Sequence, residues 1–475
     1  MALPETKAIP FGGEQSGIDE LAGANPAFVN ALLDRGNVIR ARPGIMALAD
    51  FPAIPPSRRP VTMIASFGRR IIYTTNDGSV FAWRGPNDVV PLSFSDESRL
   101  QHYMTPTWAS SGENIFVVVA GGVPQKISAS LVSSRLGGDP PAATGVCILT
   151  RRIVLAQAGT GNFPWSGILE GGAEDWDLGM EFREAEAKAD NLVTVSAAAR
   201  ELYAFGEETV EAYAPDENDT FSPTAALEVG LLAARSLVRW YHQHAWLSDQ
   251  QQIVMSDCHT FDDDSLISRD IQNQLDQLNV TDDCWSFRML LGQHDCLTWV
   301  FPTEGRVFAY DMTSKAWSQW HGMLGGRMGA WRPTAAYYWR EAGIYLVGLP
   351  NGMLAQLTFD AHTDLGDSIL WRARSGFVTH GSLQPKSPLQ VHMQFRRGEA
   401  TSGDSAVDVS WRDDLGEWAP KLRYPLGTAG DVQPTIEITP AGAPYAQRQW
   451  EVSSTAADAR AMISARELYH TEGVA

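Results

Sequence analysis

Seven short apolar runs recur along the chain at near-constant spacing, and this recurrence constrains the fold more than any other feature. They are Arg70-Ile-Ile-Tyr-Thr-Thr75, Asn114-Ile-Phe-Val-Val-Val119, Arg152-Ile-Val-Leu-Ala156, Glu201-Leu-Tyr-Ala-Phe205, His244-Ala-Trp-Leu-Ser248, Cys296-Leu-Thr-Trp-Val-Phe301 and Gly343-Ile-Tyr-Leu-Val347. β-branched and aromatic residues dominate them, which marks them as strands. Measured between Ile71, Ile115, Ile153, Leu202, Ala245, Leu297 and Ile344, the gaps are 44, 38, 49, 43, 52 and 47 residues. A repeat of about 40–50 residues is the length of a four-stranded propeller blade. The local grammar agrees. Ile71–Trp83 reads as strand, Asn76-Asp-Gly78 turn, strand, and Asp-Gly favours a tight hairpin. Thr298–Trp320 repeats this form and ends in Tyr310-Asp311, a short turn and Trp317. The expectation is an all-β protein: a degenerate six- or seven-bladed β-propeller over residues 61–367.

The flanks read differently. Residues 1–60 form an N-terminal arm or lead-in segment, with a short helical-looking piece at Asn25–Leu33 and a proline-rich Phe51–Pro60 that is barred from a central strand. After Asp367 the rhythm changes. Leu370–Thr379, Leu389–Gln394, Val407–Trp411, Lys421–Leu426, Thr435–Ile438, Gln447–Ser453 and Arg460–Tyr469 predict a β-sandwich over 368–475. Ile271, Leu275 and Leu278 predict an amphipathic helix within Ser268–Asn279, and Glu181–Asp190 looks briefly helical.

A chain of 475 residues exceeds one ordinary core, which suits this division. Sixteen Trp supply large rigid surfaces for strand-rich cores and interfaces. The formal charge of −19 disfavours a protein that grips nucleic acid through its phosphates, although like charge suits a surface past which DNA slides. Cys147, Cys258, Cys284 and Cys296 are too scattered for a zinc site or a disulfide framework and read as buried thiols. The first residues lack the basic and apolar regions of a signal peptide, and no apolar run is long enough for a membrane helix. The expectation is a protein made in the cytoplasm with no membrane segment.

No motif carries recognisable chemistry. The acidic stretch Asp257-Cys-His-Thr-Phe-Asp-Asp-Asp264 lacks the alternation and glycine of a calcium loop and reads as solvated. Glu174, Asp175, Asp177, Glu181 and Glu184 around Trp176 are numerous enough for paired-carboxylate glycosidase chemistry, but read as an acidic connector. Ser410–Trp418 loosely resembles a sialidase Asp-box turn with the wrong spacing. Ala158–Gly161 and Leu324–Arg327 read as turns, and His242 and His244 as packing residues. Basic patches with aromatic interleaving are lacking apart from Ser57-Arg-Arg59 and Arg396-Arg397, and neither a G-x-S-x-G elbow nor a P-loop is present. The expectation is a non-enzyme with no catalytic, metal or cofactor-binding residue.

Several pieces, in order, resemble one family. They are Arg40-Ala-Arg-Pro-Gly-Ile45; Ile71–Phe81; Trp176 and the acidic-aromatic stretch after it; and Asp190-Asn-Leu-Val-Thr-Val195. They continue with Arg200–Tyr213, with its Phe-Gly, polar pair and Thr-x-Glu-x-aromatic; Phe301-Pro…Gly305…Tyr310-Asp311…Trp317; and Asp413–Trp418. Together they resemble the packaged-DNA stabilisation proteins, the tail hub or nozzle of short-tailed bacteriophages. The resemblance implies a structural virion protein in the tail, forming a hexameric ring below the portal and the tail adaptor (the head-to-tail connector). Such a ring extends or closes the DNA channel, retains packaged DNA and attaches a tail needle, fibres or spikes. DNA would pass without specific binding, helped by an acidic lumen. A propeller glycosidase and a non-catalytic carbohydrate- or receptor-binding tail module are the alternatives.

Overall fold

The computed structural model describes residues 4–11, 28–36, 38–92, 107–111, 115–169, 174–177, 181–185, 187–188, 190–216, 220–396, 405–427, 431–439, 442–457 and 461–471. Almost all of its regular structure is β, and seven antiparallel units follow one another. Blade 1 comprises Val61–Phe67, Arg70–Thr75, Val80–Gly85 and Asp88–Leu92. Blade 2 comprises Thr107–Ser111, Ile115–Val119, Gln125–Ser128 and Ser133–Arg135. Blade 3 pairs Ala143–Leu149 with Arg152–Gln157 and Asn162–Pro164 with Phe182–Glu184; a Val154–Trp165 bridge joins the pairs. Blade 4 is Leu192–Ala198, Glu201–Gly206, Val210–Pro215 and Phe221–Leu227. Its outer strand holds Pro223 beside an irregularity of register, on a sheet edge where proline is tolerated. Blade 5 is Val238–Trp240, Gln243–Leu247 and Ile253–Ser256, and blade 6 is Trp285–Leu291, His294–Phe301, Arg306–Asp311 and Ala316–Gln319. Blade 7 has Ala335–Trp339, Ile344–Gly348 and Leu354–Thr358 from its own stretch of chain. Its fourth strand is Gly44–Ala47, from the N-terminal segment.

The seven blades close into a ring, as the apolar clusters between them demonstrate. One cluster joins each successive pair from blades 1 and 2 to blades 6 and 7. A further one unites Val61, Ile64 and Ile71 of blade 1 with Ala335, Leu346 and Leu354 of blade 7. Phe51, from the proline-rich stretch, packs edge-on against Tyr73 and Trp83 beside that seam. First strands of neighbouring blades touch one another, so they line the axis. The seven apolar runs that set the sequence period are the second strands. Each lies between two strands of its own blade and between two neighbouring blades, so it is buried almost throughout.

The sandwich is the eighth core. One sheet holds Lys386–Arg396, Ala461–Thr471 and Thr435–Ile438, extended by Ala31–Asp34, Val38–Ala41 and Glu5–Ala8. The other runs through Trp371–Arg374, Arg448–Ser454, Ala406–Asp413 and Leu422–Pro425. This second sheet does not stop at the domain edge. Phe28–Val29 pairs in parallel with Ala316–Gln319 of blade 6 and antiparallel with Trp371–Arg374, so one sheet continues from propeller to sandwich. The N-terminal segment thus contributes strands to both domains.

Three helical expectations are corrected. Within Asn25–Leu33, positions 25–27 lie outside the described residues. The remainder is two strands, Phe28–Val29 and Ala31–Asp34, separated by Asn30 at φ 50°. Phe28 and Leu32 imitate helical spacing because each is buried in a different core, the sandwich and blades 6–7. The helix at Ser268–Asn279 contracts to a 3-10 turn, Arg269–Ile271, and one α turn, Gln272–Leu275. So short a helix cannot sustain itself, and burial of Ile271, Leu275 and Leu278 between blades 5 and 6 holds it. In Glu181–Asp190 the described structure is the strand Phe182–Glu184, because its backbone pairs with Asn162–Pro164.

Candidate functional site

Where blades 6 and 7, the N-terminal segment and the sandwich meet, polar side chains interlock in the interior. Arg42 precedes Pro43, which favours an extended backbone and directs the chain inward. Its side chain is fully buried and all of its fork is satisfied. Nε donates to Asn30 Oδ1 at 2.8 Å, and Nη1 donates to the Pro43 carbonyl at 2.8 Å and Asp364 Oδ1 at 3.0 Å. Nη2 donates to the His321 carbonyl at 2.8 Å and to Asp364 Oδ2 at 2.6 Å. Asn30 Nδ2 donates in turn to the Leu370 carbonyl at 2.8 Å. One guanidinium therefore ties the arm, blade 6, blade 7 and the start of the sandwich. A bidentate, desolvated pair of this kind fixes geometry as well as energy.

Beside it, buried His294 bridges two carboxylates: Nδ1 lies 2.8 Å from Asp311 Oδ2 and Nε2 lies 2.5 Å from Asp34 Oδ1. Burial disfavours the imidazolium, but the hydrogen bonds and charges of Asp311 and Asp34 outweigh it and raise the pKa above 6.5. For Asp311, burial acts upward, while His294 and the Thr313 amide prevail and lower its pKa. The raised histidine contributes fully below pH of about 6.5 and loses its contribution as pH rises through the folded-state pKa. The lowered carboxyl contributes above its unfolded value of about 3.9 and loses it as pH falls through its folded-state pKa. The expected outcome is that wild type exceeds His294→Gln most between about pH 4 and 6.5. The gap narrows on the alkaline side, as urea midpoints measured across pH would report.

The axial channel has a distinct chemistry. Its wall, the seven first strands, carries Thr62, Ser66, Thr144, Ser196 and Ser286 but no Asp or Glu; its charged residues are Arg239 and Arg288. Arg288 donates to Asp295 with both Nε and Nη2 at 2.7 Å, and its guanidinium lies 4.5 Å from the Tyr241 ring centroid. Trp240 Nε1 donates to Asp295 at 2.8 Å. Around them Tyr241, Leu290 and Tyr338 are 62%, 51% and 45% exposed, an apolar set on one side of the mouth.

The candidate clusters from the sequence are engaged locally. Asp257 caps the amides of His259 and Thr260, and Asp262 those of Asp264 and Ser265. No group of three metal-ligating side chains occurs among the described residues. Of the five carboxylates around Trp176, Glu174 pairs with Lys126 and Glu181 with Arg152, in two separate ion pairs. His244 is buried, with Nε2 3.0 Å from Ser196 Oγ and Nδ1 3.8 Å from Cys258 Sγ. Burial, reinforced by Arg239, pushes its pKa down to about 3, so it stays neutral, while His242 is exposed. Within Ser410–Trp418, Asp413 binds Arg448 and Asp414 caps Ala446 and Gln447. Residues 158–161 form a turn, Gly325–Gly326 turn between the paired strand ends Leu324 and Arg327, and Arg397 lies outside the described residues. The sequence reading did not single out Arg42, Asp364, Asn30 or His294. Arg42 belongs to a noticed motif, but its partner Asp364 stands 322 positions away.

The fold defines a seven-bladed β-propeller carrying a β-sandwich. No protein-family model matches the chain, and no curated protein does. Among solved structures, YCF48 from Cyanidioschyzon merolae is 12% identical, covering 67% of this chain and 100% of its own, with a TM-score of 0.42. BamB from Moraxella catarrhalis is 12% identical over 71% of this chain and 98% of its own, with a TM-score of 0.39. BBS1N, solved in complex with ARL6DN, is 12% identical over 70% and 97%, with a TM-score of 0.40. No helix is long and apolar enough to cross a membrane among the described residues.

Proposed function

We propose that the protein is a structural part of a short-tailed bacteriophage virion. In this reading it is a tail hub or nozzle that extends or closes the DNA channel below the portal and its adaptor, and offers attachment to needle, fibres or spikes. The observation that carries the reading is the continuous sheet from blade 6 through Phe28–Val29 into the sandwich, locked by Arg42. That construction makes propeller and sandwich one stiff body, as a ring component under the pressure of packaged DNA requires. The Arg42 lock lies within Arg40–Ile45, one of the pieces that carries the family resemblance. Flat blade sides suit heterologous contacts that close into a hexamer. The propeller's own axial wall lacks carboxylates, so an acidic ring lumen would have to be built from other surfaces of the subunit.

Cryo-electron microscopy of the assembled particle tests the proposal. A ring of copies directly below the portal and adaptor is expected, and copies confined to fibre tips would refute it. The second result would instead support a binding module, a reading favoured by the exposed Tyr241 and Tyr338 beside the channel mouth.

A further inference from the structure

We infer that the axial mouth on the side of the first-to-second-strand hairpins is a docking site for an acidic, extended polypeptide segment. The inference is independent of the hub assignment. These hairpins ring the channel because the first strands line it. They present Arg69 in blade 1, Arg151 in blade 3, Arg200 in blade 4 and Arg340 in blade 7, with Arg239 one residue inside the blade 5 turn. The blade 2 hairpin lies outside the described residues. Arg69, Arg200 and Arg340 are exposed and form no ion pair with a described residue. On the opposite side the second-to-third-strand hairpins carry Asp77, Glu207, Glu208, Asp249 and Glu304 and no Lys or Arg, while the connectors entering blades 1 and 7 there bring Arg58, Arg59, Arg327 and Arg332. In a chain of formal charge −19, hairpin arginines thus ring one mouth of a channel whose first-strand wall carries no carboxylate.

Backbone conformation supplies a second, independent observation. Thr150 and Arg151 (φ 48° and 63°), Ala199 and Arg200 (φ 50° and 73°) and Tyr241 (φ 53°) all occupy left-handed conformations in these turns. Two-residue hairpins of this form take Asn-Gly at far lower cost. Side chains held at strained positions point to use of the side chain. The carboxylates on the same side are engaged or lie farther out. Glu201 accepts from Tyr203 and pairs with His259, the acidic loop 257–264 leaves the third strand of blade 5, and Glu341 is a solitary neighbour of Arg340.

The recognising chemistry is guanidinium to carboxylate, with Tyr241, Leu290 and Tyr338 offering apolar contact on one flank. A peptide fits better than a nucleic acid. A segment entering end-on confines its charge to the rim, whereas a long phosphate backbone would extend over the acidic body.

The test is fluorescence anisotropy of the full chain with fluorescein-labelled deca-glutamate at low salt. Binding that weakens as salt is added is expected. A triple variant, Arg69→Glu with Arg200→Glu and Arg340→Glu, is expected to bind at least about tenfold more weakly. Arg327→Glu, on the opposite side, is expected to leave binding unchanged. Ala199→Asn with Arg200→Gly separates function from folding: its unfolding temperature rises by about 1–2 °C while its affinity falls. No binding of deca-glutamate by the wild type, or equal losses in the triple variant and Arg327→Glu, would overturn the inference. Tighter binding of oligo-deoxythymidine, lost in the same triple variant, would overturn the peptide assignment.

Discussion

Replacing Arg42 by leucine is expected to cost about 3–5 kcal/mol, because removing one partner of a desolvated ion pair leaves the other buried and uncompensated. The Asp364 side chain is 5% exposed and would keep no cation within reach of both its oxygens. Asn30 Oδ1 would retain only the His321 amide, and the Pro43 and His321 carbonyls would lose their guanidinium donor. Because these groups belong to the arm, to the region between blades 6 and 7 and to the start of the sandwich, the loss also uncouples the two domains. Urea unfolding followed by tryptophan fluorescence should therefore show both a lower midpoint and a splitting into two transitions. A double variant, Arg42→Met with Asp364→Leu, removes the orphaned charge and is expected to recover much of the loss, as apolar replacement of a whole buried pair commonly does. A single Arg42→Leu transition at the wild-type midpoint would contradict the picture of this pair as the lock.

The second large effect is expected at Gly44, the first residue of the strand that closes blade 7. A Cβ there would lie 2.5 Å from the Thr363 carbonyl oxygen and 2.7 Å from that of Ala361. Both obstacles are backbone, so no side-chain rotation relieves the clash. Gly44→Val must displace either the closing strand or the 361–363 segment, at a cost of about 2–4 kcal/mol. Displacing Gly44–Ala47 exposes the edge of Leu354–Thr358, with which it pairs from Thr358 to Ala355. The consequence beyond stability is an open ring edge, and unpaired edges recruit other strands. Gly44→Val is therefore expected to aggregate on mild heating. Hydrogen exchange should be accelerated at Leu354–Thr358 while blades 3 and 4, on the far side of the ring, retain their protection.

The blade period was legible because of how a propeller buries its second strands. In Arg70–Thr75 or His294–Phe301 both faces pack on neighbouring blades and both edges are paired, so nearly every position is buried and the apolar run within it stands out. The first strands were harder to see. Thr107–Ser111 and Leu192–Ala198 carry small and hydroxyl residues toward the channel and lose the apolar signature. Sandwich strands such as Thr435–Ile438 were legible through plain alternation, with Ile436 and Ile438 buried between exposed Thr435 and Glu437. Phe28–Val29 was not, since two residues shared between two sheets contain no period at all.

By itself, then, the sequence determined the all-β class, a repeat of blade length with six or seven blades, and the sandwich after it. These are consequences of local hydrophobic patterning, which a chain carries residue by residue. Tertiary structure alone decided that residues 28–47 are woven through both domains, that Arg42 meets Asp364 and that His294 joins Asp34 to Asp311. It also decided that turns far apart in the chain bring their arginines to one channel mouth. Closing a ring and pairing buried charges depend on contacts hundreds of residues apart. No local pattern encodes such a contact, because its energy exists only once the intervening blades have folded into place.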